Sequence, residues 1–452
     1  MPDQEREKYL KEISLLHAEN ATLKEEVALM QSQLDWFKKQ MFGRKTEQST
    51  VIFEGGEQLS LMQDEKAVSE KTSEETITIP EHKRKKKRTF EEAMADLPVE
   101  KVIHELEDKT CDKCGAEMEE TGCYCSPELL AHIIFEKYGK AVPLHRQEKD
   151  FASKKIPLLK ATMSNWVLTA AEQWCLPIVQ KMTAQLLLSE VIHADETVIQ
   201  VLHENGRKTT SESRMWVYCN GNINDRSIVI FDYKPTRKGA NAEEFLKGWN
   251  GYLVRDQFSG YHVLKNVKHC GCWAHMRRRF IEAIPSDKKL HSTSVAVQAV
   301  ERIKRIYHKE GQLKNCTSDE RYKERQKIIK PLIDEFFAWL EPLPVSGKNK
   351  LAEAIGYAIN EKAYLYTFLE NGNVPMDNNR AESAIRPFAV GRKNWLFSNT
   401  ARGADCSAVL YSIVSTAQAN GLDAEKYLTE LFRQPAGTIV MPWKEEKKNG
   451  IS

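Results

Sequence analysis

One carboxylate, Glu382, stands among Arg380, Arg386, Arg392 and Lys393 in the stretch MDNNRAESAIRPFAVGRKNWLF, residues 376–397, with Asn378 and Asn379 just upstream. Arg386 follows Glu382 by four residues, so on a helix the two share a face. Pro387 is then expected to end or kink that helix. Two chemistries suit a lone acid among bases. One is an ion-pair network of purely structural value. The other is a metal-binding acid whose basic neighbours hold phosphates, as phosphoryl transfer requires. The second needs more carboxylates, at the ends of strands.

Two such carboxylates are present. Asp195 falls within VIHADETVIQVL, residues 191–202, and Asp256 at the end of the apolar run in GYLVRDQF, residues 251–258. Singly, each acid has an ordinary structural reading: Asp195 as a strand-end acceptor, Asp256 as a turn residue before Gly260, Glu382 as a salt-bridge partner. Together, on two neighbouring strands and a facing helix, they can hold two Mg²⁺ ions about 4 Å apart. Mg²⁺ prefers oxygen ligands and keeps several waters, so few protein carboxylates are needed. In that arrangement one ion activates a water or a 3′-hydroxyl and the other stabilises the leaving 3′-oxygen.

The elements that must position these acids begin where the apolar period changes, at Val191. VIHADETVIQVL, SRMWVYCNG and SIVIFDYK are β-rich and separated by turn residues, which predicts a three-stranded meander. A helical stretch, NAEEFLKGW, and a further strand, GYLVRDQF, follow. This β-β-β-α-β order is that of a ribonuclease H-like core, a mixed α/β sheet in which the first and fourth strands are neighbours. Residues 191–275 supply the first part of that core. Residues 276–375, almost entirely helical in pattern, read as an insertion, and 376–435 return to the core with Glu382 and close with the helix CSAVLYSIVSTAQANG. Cys272 and His275, in CWAH, have the spacing of half a metal site, but no partner pair follows, and a structural role is the preferred reading. Arg277, Arg278 and Arg279 suit a DNA backbone contact or a solvated helix face equally.

Upstream, residues 5–42 read as a heptad helix, either a dimeric coil, which is preferred, or an amphipathic helix packing on its own globular domain. Ile13, Asn20, Val27, Leu34 and Met41 repeat every seven residues, and so do Tyr9, Leu16, Leu23, Met30 and Phe37. β-branched Ile13 and Val27 at one seam position with Leu16 and Leu23 at the other favour a parallel two-stranded coil, whose register Asn20 fixes. Glu19 and Lys24 can pair across it, so a homodimer is expected. Residues 43–100 read as a flexible linker carrying the basic run HKRKKKR, residues 82–88, either a solvated segment or a nonspecific phosphate grip. Residues 101–126 carry Cys111 and Cys114 in CDKCG, followed by Cys123 and Cys125. The first pair is a zinc-knuckle signal and the second is cramped, so a Zn²⁺ site and a degenerate finger both fit. Residues 127–190 read as a mostly helical region of a kind that commonly binds DNA.

Composition excludes several classes. A chain of 452 residues that is 41% hydrophobic can build a sizeable core. No apolar run approaches the roughly 20 residues of a membrane span, and the N-terminus lacks the apolar core of a secretory signal. The chain reads as soluble and cytoplasmic. Ten cysteines in so long a chain suit reduced thiols or a metal site better than a disulfide framework. The net charge of +2 is uninformative, but bases gather at 83–88, 277–279 and 386–393, and local basic patches suffice to bind phosphates.

Eight segments, in order along the chain, carry a family resemblance: WFKKQMFGRKTE (36–47), CDKCG (111–115), SPELLAHIIFEKYGKAVPLHRQE (126–148), HADETVIQVL (193–202), RDQFSGYHVL (255–264), CWAHMRRRF (272–280), DNNRAESAIRPFAVGRKNWLF (377–397) and NGLDAEKYLTELF (420–432). In them the chain resembles the transposases of the insertion sequence 66 family, of the acidic-triad (DDE) class. The resemblance implies a catalytic triad of Asp195, Asp256 and Glu382 binding Mg²⁺ or Mn²⁺. It also implies an N-terminal leucine zipper, a zinc-finger-like DNA-binding region and a helical insertion in the core. DNA, both element ends and target, is the implied partner, with small accessory proteins of the same element. Arg386, Arg392 and Lys393 become candidates for holding DNA phosphates near the metals. The chain departs from the family pattern between CDKCG and SPELLA, where a longer stretch with a better-formed cysteine pair shrinks to AEMEETGCYC, residues 116–125. The expected activity is cutting at element ends and joining the freed 3′-hydroxyls to target DNA. A structure-selective nuclease on the same fold, and a noncatalytic DNA-binding protein or decayed transposase, are the alternatives.

Overall fold

The computed structural model describes residues 125–221, 226–344 and 349–444. The heptad segment, the linker with its basic run, and Cys111, Cys114 and Cys123 lie outside the described residues. Within them the chain begins with a helical layer. Ser126 caps α1 (Pro127–Tyr138) by accepting from the Leu129 amide at 3.2 Å, and Pro127 opens the helix where no N–H is needed. α2 (Leu144–Ser153) and α3 (Lys160–Ala170) follow, and α3 passes through a π-helical turn, Ala171–Cys175, into α4 (Leu176–Leu186). Pro177 follows two residues after that turn, and the Gln173 carbonyl that its missing N–H leaves free accepts from the Gly437 amide at 3.1 Å.

The sheet starts with the long strand β1 (Val191–His203), which pairs antiparallel with β2 (Glu212–Asn220), itself antiparallel to β3 (Val229–Lys234). After α5 (Gly239–Phe245) the chain returns as β4 (Tyr252–Arg255), parallel to β1 on its other side, and then as β5 (Lys268–Gly271), parallel to β4. The strand order is therefore β3-β2-β1-β4-β5. The predicted meander and the adjacency of first and fourth strands are both present. β5 was not predicted, because KHCG is short, polar and without alternation.

α6 (Trp273–Glu282), α7 (Val295–Gln312), α8 (Ser318–Glu324), α9 (Lys330–Leu340), α10 (Lys350–Asn360) and α11 (Lys362–Tyr366) come next. Here again a π turn, Arg325–Ile329, leads into a proline, Pro331. These helices build their own core around Trp273, Phe280, Phe336, Phe337 and Phe368, continuous with Val191, Tyr252, Val254 and Cys270 of the sheet. α12 (Asn379–Trp395) then returns to β1 and β2. Pro387 does not end it: the residue is exposed, as is Ser383 one turn earlier, so the carbonyl left without a donor faces water. β6 (Ser398–Thr400) adds to the far end of β1, and α13 (Ala401–Ala419) and α14 (Ala424–Phe432) complete the order.

The helices of residues 127–186 share one apolar core with the sheet, α12, α13 and α14. α13 also covers the edge strand β3. The Ser412 and Thr416 hydroxyls accept from the amides of Phe231 (2.8 Å) and Val229 (3.0 Å), and Thr416 returns a bond to the Val229 carbonyl. An edge whose backbone groups are taken this way cannot recruit a foreign strand.

Candidate active site

The parallel pairing of β1 and β4 sets the site. Its register runs Val191–Tyr252, Ile192–Leu253, His193–Val254. Asp195 and Asp256 each lie two residues beyond the last of these pairs. β4 ends one residue short of the predicted position because Asp256 folds back on the chain: its Oδ1 accepts from the Phe258 amide at 2.9 Å, a local turn that competes with the strand ladder. Arg255, the last residue of β4, is fully buried and holds this turn from below. Its guanidinium donates to the Asp256 carbonyl at 2.6 Å and to Glu361 Oε2 at 2.9 Å, and it lies over the Tyr364 ring. Sequence reasoning missed this pair, since a cation inside an apolar strand names no partner.

Glu382 comes from the first turn of α12, whose start is fixed by Asn378. The Asn378 side chain accepts from His193 Nδ1 at 2.9 Å and donates to the Ala194 carbonyl at 2.8 Å, while its backbone amide bonds to Cys272 Sγ at 3.2 Å. One buried asparagine thus joins β1, α12 and the start of α6. Glu382 does not pair with Arg386. Its Oε2 accepts from Arg278 Nη2 at 2.9 Å, and its Oε1 stands 3.5 Å from His275 Nδ1, both partners coming from α6.

The acids feel one another. Burial pushes the Asp195 carboxyl up to about 7, with repulsion from Glu196, Asp256 and Glu382 adding to it. Burial also raises Glu196, helped by Asp256 and opposed by Arg237. Arg237 Nε donates to Glu196 Oε1 at 2.8 Å and Tyr261 Oη to Oε2 at 3.0 Å. Glu196 was not singled out from the sequence, although it directly follows Asp195. Burial holds His193 down at about 4, so it is neutral at ordinary pH.

The predicted phosphate contacts separate. Arg386 and Lys393 are exposed on α12. Arg392 turns inward, its Nη1 donating to Thr197 Oγ1 at 3.2 Å and to the Val198 carbonyl of β1. Of the four cysteines proposed for zinc, the described one is Cys125, whose Sγ lies 3.7 Å from the Ser126 carbonyl.

Residues 122–406 match the sequence profile described as Transposase IS66 family. The chain belongs to this transposase family. Asp195, Asp256, Cys272, His275 and Glu382 all fall inside the match. A second profile, described as Transposase C of IS166 homeodomain, matches residues 29–102. Similar curated proteins are the uncharacterized proteins y4hP, y4jD and y4qI of Sinorhizobium fredii (strain NBRC 101917 / NGR234). The first is 28% identical over 402 residues, 80% of this chain and 71% of that protein. The second is 27% identical over 333 residues, 69% and 63% of the two lengths. The third is 29% identical over 349 residues, 70% and 62%. No solved structure matches. Membership in the transposase family implies a DNA-cleaving enzyme in general terms, with DNA as its partner. Among the described residues no helix is long and apolar enough to cross a membrane.

Proposed function

We propose that this IS66-family chain cuts DNA at the ends of a mobile element and joins the freed 3′-hydroxyls to target DNA. Asp195, Asp256 and Glu382 are its catalytic carboxylates, and its sheet is a ribonuclease H-like core. The observation that supports this reading best is the register of β1 and β4, which carries Asp195 and Asp256 to equivalent places two residues beyond the His193–Val254 pair, with Glu382 close enough to raise the Asp195 carboxyl.

The three carboxylates suit a hard divalent cation. Their donors are all oxygen, as Mg²⁺ or Mn²⁺ prefers. The raised Asp195 carboxyl marks a place where a positive charge relieves repulsion. When bound, such cations supply Lewis-acid activation of the attacking hydroxyl and stabilisation of the departing oxygen. The chain's own part is positional. The Asp256 turn and buried Arg255 fix one carboxylate, β1 fixes the second, and Asn378 fixes the start of the helix that carries the third. Arg237 and Tyr261 hold Glu196, so that it does not compete for the same cation. Exposed Arg386 and Lys393 hold DNA phosphates, the heptads of residues 5–42 pair two copies, and Cys111, Cys114, Cys123 and Cys125 remain the zinc proposal for the shortened finger.

A strand-transfer assay with Mg²⁺ and paired element ends tests the reading. Wild type gives joined products, and Asp256→Asn gives none while still retarding the end DNA in a gel. Joining by Asp256→Asn overturns the triad. Wild type that binds ends but never cleaves them returns the chain to the noncatalytic reading.

A further inference from the structure

CWAH offers Cys272 and His275 with metal-ligand spacing and no second pair in the sequence. The fold supplies a third donor from far along the chain. Cys272 caps the start of α6, His275 lies in its first turn, and Glu382 faces them from α12. One ligand atom from each of the three lies within 4.8 Å of the other two. His275 Nδ1 and Glu382 Oε1 are both buried without a hydrogen-bond partner, although they face each other. Their 3.5 Å separation is long for a hydrogen bond. It is close to the separation of about 3.3 Å that two ligands at about 2.0 Å take on one tetrahedral ion. Unpartnered buried polar atoms are costly, and a shared cation would satisfy both. The surroundings fit as well. Arg278 holds the other Glu382 oxygen at 2.9 Å, and the Asn378 amide donates to Cys272 Sγ at 3.2 Å. Such outer contacts orient ligands around a metal.

We propose that Cys272, His275 and Glu382 form a site for a soft divalent cation of the zinc class, with a fourth position left to water. Sulfur, imidazole and carboxylate together select such an ion over Mg²⁺. The ion takes the sulfur as thiolate, and the thiol proton goes to solvent. Binding at this site stands on the geometry alone. Its consequence rests on the proposed triad: an ion that holds Glu382 against α6 withdraws it from Asp195 and Asp256, so zinc occupancy opposes the Mg²⁺-dependent reaction.

The test uses the full chain with Cys111, Cys114, Cys123 and Cys125 each changed to serine, so that other proposed ligands are silent, and cobalt(II) as the zinc stand-in. Titration is expected to give a sulfur-to-cobalt charge-transfer band that saturates at one equivalent and is displaced by zinc. Adding Cys272→Ser removes the band, and adding His275→Ala weakens binding about tenfold or more, with the circular dichroism of both variants matching the parent. No band in the parent, or a band that survives Cys272→Ser, overturns the site. In strand transfer, micromolar zinc lowers product in wild type, and the ratio with and without zinc returns to one in Cys272→Ser. A saturated cobalt site with zinc-insensitive strand transfer overturns the inhibitory role. A cobalt site in a chain that joins no DNA under any condition leaves the metal site standing and overturns the strand-transfer reading instead.

Discussion

Asn378 and His193 are hydrogen-bonded where α12 meets β1, at 2.9 Å between Asn378 Oδ1 and His193 Nδ1, and both residues are buried. Because the Asn378 amide nitrogen is spent on the Ala194 carbonyl, its oxygen must accept, and the imidazole proton sits on Nδ1. The pair fixes the distance between the strand that carries Asp195 and the helix that carries Glu382. Asn378→Ala leaves the His193 N–H and the Ala194 carbonyl buried without partners. The expected loss is about 2–4 kcal/mol, read as a lower denaturant midpoint. Strand transfer should fall further than stability explains, since Glu382 loses its register. A variant with wild-type midpoint and wild-type joining would remove the positioning role.

The pH dependence of stability tests the crowding of the acids. The Asp195 carboxyl titrates at about 7 in the folded chain, driven up first by burial and then by Glu196, Asp256 and Glu382. In the unfolded chain an aspartate titrates near about 3.9. The folded state therefore binds more protons between these values, and stability is lost as pH rises through them. Asp195→Asn removes the buried charge. In EDTA it should match the parent near pH 4 and exceed it at pH 8, by an amount on the order of a few kcal/mol. Denaturation midpoints of the two proteins across that range decide the matter. A variant less stable than the parent at pH 8 would contradict the assignment.

The ion pair beneath Asp256 makes a different prediction. Arg255 and Glu361 are almost wholly inaccessible, 0% and 3% exposed in their side chains. Removing one partner strands the other charge, so Arg255→Met alone should cost about 3–5 kcal/mol. Glu361→Gln alone should cost less, because the amide oxygen still accepts. The double variant should recover part of the Arg255→Met loss. Additive losses in urea denaturation would show that the two side chains are not coupled.

How much of this could be read from the residues differs by element. The meander and the helix after it follow from alternation and turn residues, which are local, whereas the adjacency of first and fourth strands followed only from likening their order to a ribonuclease H-like core. β5 and β6 are short and polar, and only pairing with β4 and β1 makes them strands. Asp195 stood out within the first strand, Asp256 at the end of the fourth and Glu382 as a lone acid among bases. The partners of Glu382 did not, because Arg278 and His275 lie about a hundred residues earlier on a helix of the intervening segment. Local spacing suggested Arg386 instead, which shares the helix but not the contact. The same long-range packing converts Cys272 and His275 from half a site into three converging donors.

Arg392 shows most plainly why a basic run is not a uniform surface. Its guanidinium is spent on Thr197 and the Val198 carbonyl, tying the last turn of α12 to β1, whereas Arg386 and Lys393 are exposed. Arg392→Ala should therefore lower stability by about 1–3 kcal/mol and weaken DNA binding only as far as the fold loosens. Arg386→Ala and Lys393→Ala should leave the midpoint within about 0.5 kcal/mol. Each should weaken binding of element-end and unrelated DNA alike, and each should reduce the slope of log affinity against log salt by about 1. Fluorescence anisotropy at several salt concentrations separates the two classes. If Arg392→Ala keeps its stability and reduces the salt slope as the other two do, the guanidinium faces DNA and its contact with β1 is incidental.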